Sequence, residues 1–211
     1  MNGRELKKIL QEYLFEKLEF DFFYKGRDII LLPANNIITI IIFDNRSYDN
    51  DGFYLCIHSF PLYNEKDFIA MNYGYNRIKW LYRKDIEKDN GNKLAKLIHE
   101  YVDKIRKNED PKEFYKYMKS YGYLDQLNYR KNVALTACLI RKENYLEQLE
   151  SLRDEAQTQK YDDGILDKVY DKIEQDCQLL LELHDLDKIQ EQLQKWRKQT
   201  IKNLGFDKFI D

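Results

Sequence analysis

His58 is the side chain in this sequence best suited to acid–base chemistry. A histidine titrates near neutral pH and can act as a general base when a carboxylate orients it. Asp44 and Arg77 are the charged residues that would complete such a site, which gives one hypothesis, a nuclease or other phosphodiester hydrolase. No partner lies next to His58 along the chain, so a structural role is the competing interpretation for His58, as it is for His99 and His184.

The familiar sequence motifs of catalysis are missing. The chain has no G-x-S-x-G elbow, no G-x-x-x-x-G-K-[ST] phosphate loop, no G-x-G-x-x-G turn and no H-E-x-x-H helix. The acidic loop 44–52 has the wrong spacing for an EF-hand, because Arg46 and Tyr48 stand where oxygen ligands are needed. We therefore expect a solvated hairpin loop there, no bound metal, no cofactor and, on balance, no enzymatic activity.

Aromatic and basic residues alternate in the stretch 73–84. Tyr75, Arg77 and Trp80 belong to it, and stacking on such rings contributes ~1–3 kcal/mol per base in proteins that bind single strands. Single-stranded nucleic-acid binding is therefore a second alternative function. Acidic residues follow directly, and the chain has a formal charge of -2 from 35 basic and 37 acidic residues. The overall charge thus offers no general attraction to nucleic acid or to an anionic membrane, and packing inside the fold is the competing interpretation.

A second group of aromatic residues lies between 114 and 129. Tyr115 and Tyr123 fall off the apolar stripe of the predicted helix, and we expect them to be exposed. Tyrosine offers a large contact area with a polar end and is enriched at protein interfaces. These two tyrosines, together with Tyr75, Arg77 and Trp80, are the predicted partner-binding residues.

Composition indicates a chain that folds around an ordinary core. The protein has 211 residues, 43% of them apolar, so it needs no disulfides for stability. Its three cysteines are far apart, without C-x-x-C spacing, and we expect all of them to be core residues. The N-terminus lacks the apolar core of a signal peptide, and the longest apolar run, 37–43, is too short to cross a bilayer. The sequence therefore predicts a cytoplasmic protein without a membrane partner.

The first half of the chain reads as one helix followed by strands. Apolar residues recur at helical spacing over 6–18, and strands are expected at 20–24, 29–32, 37–43 and 53–60. The stretch 68–82 is ambiguous, because its first part alternates like a strand and its end fits a short helix. We assign it a fifth strand followed by a turn. A helix is expected over 94–105.

The second half reads as helical. Asp110 before Pro111 predicts a helix start, and one long helix is expected over 130–157. The apolar stripe of 166–181 and that of 186–196 are out of phase, so the sequence predicts a bend or break near His184 and Asp185 but leaves open one bent helix or two.

The pattern as a whole predicts an α+β protein. We expect an N-terminal helix and a mainly antiparallel sheet of about four to five strands in 1–108, then a helical half, 109–211, with a long antiparallel hairpin or small bundle. The two halves have no flexible linker between them. For function, we expect a non-catalytic protein-binding module, an inhibitor or immunity-type protein of bacterial or phage origin that occludes a partner protein. A homodimer through the C-terminal helices is a further possibility.

Overall fold

A computed structural model describes residues 2–44, 51–65, 77–120, 126–159 and 166–209. These residues form two compact units. Unit 1 is drawn from Met1–Phe60, Ile69–Glu109 and Lys208–Asp211, and unit 2 from Pro61–Phe68 and Asp110–Asp207. Each unit therefore takes a short piece of chain from the other half of the sequence. The class is α+β, as predicted.

Unit 1 is built on an antiparallel sheet. Within the described residues its strands are β1 (Phe22–Lys25), β2 (Asp28–Leu31), β3 (Ile37–Asp44), β4 (Gly52–Pro61) and β5 (Arg77–Tyr82). They follow one another across the sheet in chain order. In the last pair, Tyr54 faces Trp80 and Gly52 faces Tyr82, with a bulge between Leu55 and Cys56. Strands that are neighbours along the chain are thus also neighbours in the sheet.

Helices cover one face of this sheet. They are α1 (Gly3–Tyr13), α2 (Arg83–Lys88) and α3 (Asn92–Ile105). Asn2 caps α1 in a capping box with Glu5. Gly91 precedes α3 with a φ of +72°, and a Cβ there would lie 2.1 Å from the carbonyl oxygen of Tyr13, so only glycine fits. Alternate strand residues join α1 and α3 in one core, including Ile29, Ile41, Phe43, Phe53, Leu55, Ile57 and Leu81.

The strand predictions hold except at the fifth strand. The residues whose alternation predicted this strand, 69–75, lie outside the described residues. The described strand β5 occupies 77–82, where a short helix was the other possibility, and α2 follows where a turn was expected. Trp80 and Tyr82 share one face of β5, and this period of two explains why the segment extends as a strand.

Unit 2 is a helical bundle around a central helix. Its described helices are α4 (Pro111–Ser120), α5 (Leu127–Leu139), α6 (Tyr145–Thr158), α7 (Leu166–Glu182) and α8 (Leu186–Asn203). Helix α5 contacts the other four, and almost all of its side chains are buried. A helix covered on every side loses the usual apolar stripe. Helices α6 and α7 pack closely as an antiparallel pair, in keeping with the predicted hairpin.

The single long helix expected over 130–157 is wrong. The chain turns between α5 and α6, where Arg141 adopts a positive φ of 56°. Residues 140–144 are mostly charged or polar, so the chain can leave the bundle there without exposing a core side chain. The expected break near His184 is confirmed, and it separates two helices. His184 has a φ of +51°, and Asp185 caps α8 by accepting a hydrogen bond from the backbone N–H of Asp187 at 2.8 Å.

Polar side chains join the segments of unit 2 inside its core. The hydroxyl groups of Tyr63 and Thr136 lie 2.6 Å apart, and the amide nitrogen of Asn64 donates to the amide oxygen of Asn132 at 2.8 Å. These bonds fasten the piece of chain after β4 to α5. The Lys131 ammonium, only 2% exposed, donates to an Asp176 carboxylate oxygen at 2.5 Å and thereby links α5 to α7.

Candidate functional site

Three aromatic rings line up at one end of the sheet in unit 1. The ring centroids of Tyr54 and Trp80 lie 4.6 Å apart with an interplanar angle of 72°, and those of Trp80 and Tyr82 lie 6.0 Å apart. Arg77 places its guanidinium 4.6 Å from the Tyr54 centroid, and Lys84 places its ammonium 5.3 Å from the Tyr82 centroid. We call these five residues the aromatic ladder.

Strand pairing sets the positions of the ladder rings. Tyr54 pairs with Trp80 across β4 and β5, and Tyr82 lies two residues further along β5, so all three rings share one face. The opposite face carries Phe53, Leu55 and Leu81 into the core with α1 and α3. The ladder therefore lies on the face of the sheet that does not hold that core. All three rings are half-buried, and Arg77 is exposed.

The absence of a side chain at Gly52 makes room for the Trp80 ring. A Cβ at Gly52 would lie 2.4 Å from an atom of the indole ring, which is closer than real Cβ atoms come. The indole thus packs directly on the Gly52 backbone. Together with the edge-on contact to Tyr54, this holds the half-exposed ring in one orientation.

Asp44 and Arg77, two members of the hypothetical catalytic group, lie near each other. Their charged groups are 3.6 Å apart, and the Asp44 side chain is only 4% exposed, whereas that of Arg77 is 52% exposed. The guanidinium is held between this carboxylate and the Tyr54 ring. The pair therefore orients Arg77 within the ladder, because an opposite charge and an aromatic face both favour a fixed guanidinium.

His58, the third member, occupies a different part of β4. The side chain is 2% exposed, and neither ring nitrogen has a hydrogen-bond partner among the described residues. Burial lowers the pKa of His58 from 6.5 to about 4, so the ring is neutral at pH 7. It lies four residues from Tyr54, or about 13 Å at the rise of a strand. Among the described residues, His58 thus has no carboxylate to orient it.

The predicted tyrosine contacts have mixed outcomes. Tyr115 is only 9% exposed, so the expectation of an exposed ring there is wrong. Its hydroxyl accepts a hydrogen bond from the Gln148 amide at 3.4 Å, and α6 supplies the cover that the helix stripe did not reveal. Tyr75 and Tyr123 lie outside the described residues. Of the predicted partner-binding residues, Arg77 and Trp80 are thus the two that the described part of the chain brings together.

The sequence did not reveal the part that Tyr54 and Gly52 take in this site. Tyr54 was seen only as a strand residue, and Gly52 only as part of a turn. The alternation of Trp80 and Tyr82 was visible along β5, but nothing local shows which residues of β4 pair with them. Only the register of β4 against β5 places Tyr54 and Gly52 under Trp80.

The cysteines and the metal-binding residue types are other potentially reactive groups within the described segments. All three cysteines are buried, as predicted. Burial raises the pKa of Cys138 and of Cys177 to about 12, which keeps both as unreactive thiols. Across the described residues, no group of three acidic, histidine or cysteine side chains is placed to hold a metal ion.

No helix among the described residues combines the length and the apolar character needed to cross a membrane. Comparison with known proteins gives no match: no family model fits the chain, and neither a curated protein nor a solved structure resembles it significantly. What the protein does has to be inferred from its own side chains.

Proposed function

We propose that the protein is a non-catalytic protein-binding module of the inhibitor or immunity type, which covers a surface of its partner through the aromatic ladder. The observation that carries the proposal is the ladder itself, three half-exposed rings that its own fold keeps in fixed orientations. Trp, Tyr and Arg are the residue types that dominate binding energy at protein interfaces.

The fixed geometry favours a binding role. Ordering a flexible side chain on binding costs roughly 0.5–1.5 kcal/mol, so rings that are already fixed lose less on contact with a partner. Gly52 and the stacked Arg77 provide that order before any partner arrives. A surface of this kind is suited to tight occlusion.

The charges of the ladder favour one kind of partner surface. Arg77 and Lys84 are exposed cations that flank the rings at the two ends of the ladder. The matching surface is an apolar patch bordered by carboxylates, because opposite charges at the rim of an interface set orientation and association rate.

The test compares two matched tyrosines. Tyr82 and Tyr101 are both half-buried in unit 1, and each has a lysine ammonium near its ring, at 5.3 Å and 5.0 Å. Tagged wild-type protein, Trp80→Ala, Tyr82→Ala and Tyr101→Ala are used to capture partners from host lysate at low and high salt, after nuclease treatment. We expect one stoichiometric protein with wild type and Tyr101→Ala, and affinity lower by about 30-fold or more with Trp80→Ala, as for a hot-spot residue.

Occlusion is then measured directly with the captured protein. Its own activity should fall on addition of the wild-type chain and recover with Trp80→Ala. Equal capture by all four chains would rule out the ladder as the binding surface. Recovery of nucleic acid that is lost at high salt, in samples without nuclease, would instead favour the single-strand-binding alternative, in which the same rings stack on bases.

A further inference from the structure

A groove runs along α4 in unit 2, away from every residue of the ladder in sequence. Its larger part has a volume of about 830 Å³ and lies between α4 and the turn that joins α5 to α6. A smaller cavity of about 320 Å³ adjoins it at Asn144. The larger volume is within the range of small-molecule sites, roughly 300–1,000 Å³.

Two lysines converge on one aromatic ring in this groove. The Lys119 ammonium is 5.7 Å and the Lys142 ammonium 5.8 Å from the Tyr115 centroid. Lys142 and Tyr115 line the larger cavity, and Lys119 lines the smaller one. Neither lysine forms an ion pair with a carboxylate of the described residues, so within that part of the chain the Tyr115 ring, and not an acidic side chain, lies next to each ammonium.

The other cations of the groove are largely engaged. Lys116 pairs with Glu113 at 2.6 Å, and Arg141 pairs with Asp187. The Asp110 carboxylate accepts hydrogen bonds from backbone N–H groups at the start of α4. The cations of the groove without an ion pair among the described residues are Lys112, Lys119 and Lys142, and two of these three lie next to Tyr115.

The carboxylates of Glu143 and Glu147 also line the groove. They would repel a long polyanion such as a nucleic-acid strand, which has to follow the whole groove. A compact group that reaches only Tyr115 avoids them. Two ammonium groups match the charge of a phosphate monoester, about -1.5 to -2 at pH 7, better than the single charge of a carboxylate.

We propose that this groove binds the phosphate monoester group of a small ligand, with Lys119 and Lys142 as its charged contacts and the Tyr115 hydroxyl as a hydrogen-bond donor. Lysine binds phosphate as a point charge, and charge-assisted bonds of this kind are roughly twice as strong as neutral ones. The site shares no residue with the ladder, and its test does not depend on the proposed function.

Calorimetric titration of the full chain tests the site. Phosphoserine and AMP are the probes, which differ in everything except the phosphate, and serine and adenosine are the matched compounds without it. We expect both phosphate compounds to bind and neither parent compound to do so. The double variant Lys119→Gln/Lys142→Gln should weaken phosphate binding by about tenfold or more, since it removes two charge-assisted bonds.

The control removes the same charge elsewhere in unit 2. Lys195 and Lys198 are exposed on α8 and line a different cleft. Lys195→Gln/Lys198→Gln should change the affinity by less than about twofold, because exposed charges at a distance are screened by salt. Absence of binding by both phosphate compounds, equal binding of the parent compounds, or an equal loss in the two double variants would each overturn the proposal.

Discussion

His58 makes the stability of the protein depend on pH. Burial holds the pKa of His58 at about 4 in the folded chain, against 6.5 for a free histidine. The unfolded chain therefore binds the proton more readily between these two values. The neutral form of His58 therefore contributes to the free energy of unfolding. This contribution is fully present above about pH 6.5, and it decreases by up to ~3 kcal/mol as the pH falls to about 4.

Replacing His58 by leucine should remove this dependence. His58→Leu keeps a side chain of similar volume and deletes two buried nitrogens that have no hydrogen-bond partner among the described residues. We expect an unfolding free energy at pH 7 that is equal to or above that of wild type, and a relative gain of about 2–3 kcal/mol at pH 4.5. Urea unfolding at both pH values measures it.

Asp28 also makes the stability depend on pH, so the experiment has to separate its effect from that of His58. Burial raises the pKa of Asp28 to about 6, so its contribution falls as the pH rises, opposite in sign to that of His58. The difference between variant and wild type isolates His58, because Asp28 is common to both. His184→Asn, at an exposed position, is the matched control for the replacement of a histidine. A wild-type profile in His58→Leu would contradict the prediction.

Gly52 determines the position of the Trp80 ring. Gly52→Ala places a Cβ 2.4 Å from the Trp80 ring, so the indole must move. We expect a loss of about 1–3 kcal/mol in unfolding free energy, the usual cost of overpacking, and red-shifted Trp80 fluorescence measured in a Trp196→Phe background. Gly3→Ala is the control, because a Cβ there meets nothing within 4 Å. Unchanged fluorescence would show that the ladder does not depend on Gly52.

At the scale of elements, a buried ion pair fixes α5 against α7. Lys131 and Asp176 are both nearly inaccessible to solvent. The Asp176 carboxylate also forms an ion pair with the Lys172 ammonium at 3.0 Å. Charges taken out of water are costly unless they remain paired. We therefore expect Lys131→Met to destabilise the protein by about 3–5 kcal/mol, since it leaves the Asp176 carboxylate buried with only the half-exposed Lys172.

The double variant Lys131→Met/Asp176→Leu should recover most of that loss, because the core then holds two apolar side chains in place of an unpaired charge. Chemical denaturation of the two single variants and the double variant gives the coupling energy. The exposed pair Lys104 and Glu100 is the control, and its removal should change the unfolding free energy far less than Lys131→Met does. A double variant less stable than either single one would contradict this account.

At the scale of the whole molecule, the two units are interleaved in sequence. Unit 2 includes a described segment, Pro61 to Glu65, from the first half of the chain. That segment supplies the hydrogen bonds from Tyr63 and Asn64 to α5. If the chain is divided near residue 108, the C-terminal fragment therefore lacks part of unit 2.

We expect the fragment 109–211 to be poorly folded when expressed alone. Without residues 61–65, Thr136 and Asn132 lose buried partners, and each unsatisfied group costs about 1–3 kcal/mol. Loss of a cooperative thermal transition by circular dichroism, with helical signal retained, checks this. Tyr63→Phe in the full chain is the control and should keep the transition. A cooperative fragment would show that the segment is dispensable.

Local patterns predicted much of this fold. Amphipathic spacing identified α1, α3 and the break before α8, and strand alternation identified β1 to β4, because the period of apolar residues fixes which side chains face a core. The turn between α5 and α6 was missed. Helix α5 is packed against four neighbours and has no single apolar stripe, so the end of such a stripe could not mark the turn.

The sequence by itself determined the α+β class, the burial of the cysteines and the presence of Arg77 and Trp80 in an aromatic, basic stretch. Tertiary structure alone decided that Tyr115 is covered by α6, that His58 is enclosed without a hydrogen-bond partner among the described residues, and that Tyr54 and Gly52 lie under Trp80. Periodicity specifies the face that a residue takes on its own element. Contact between distant segments depends on strand register and helix packing, which no local pattern encodes.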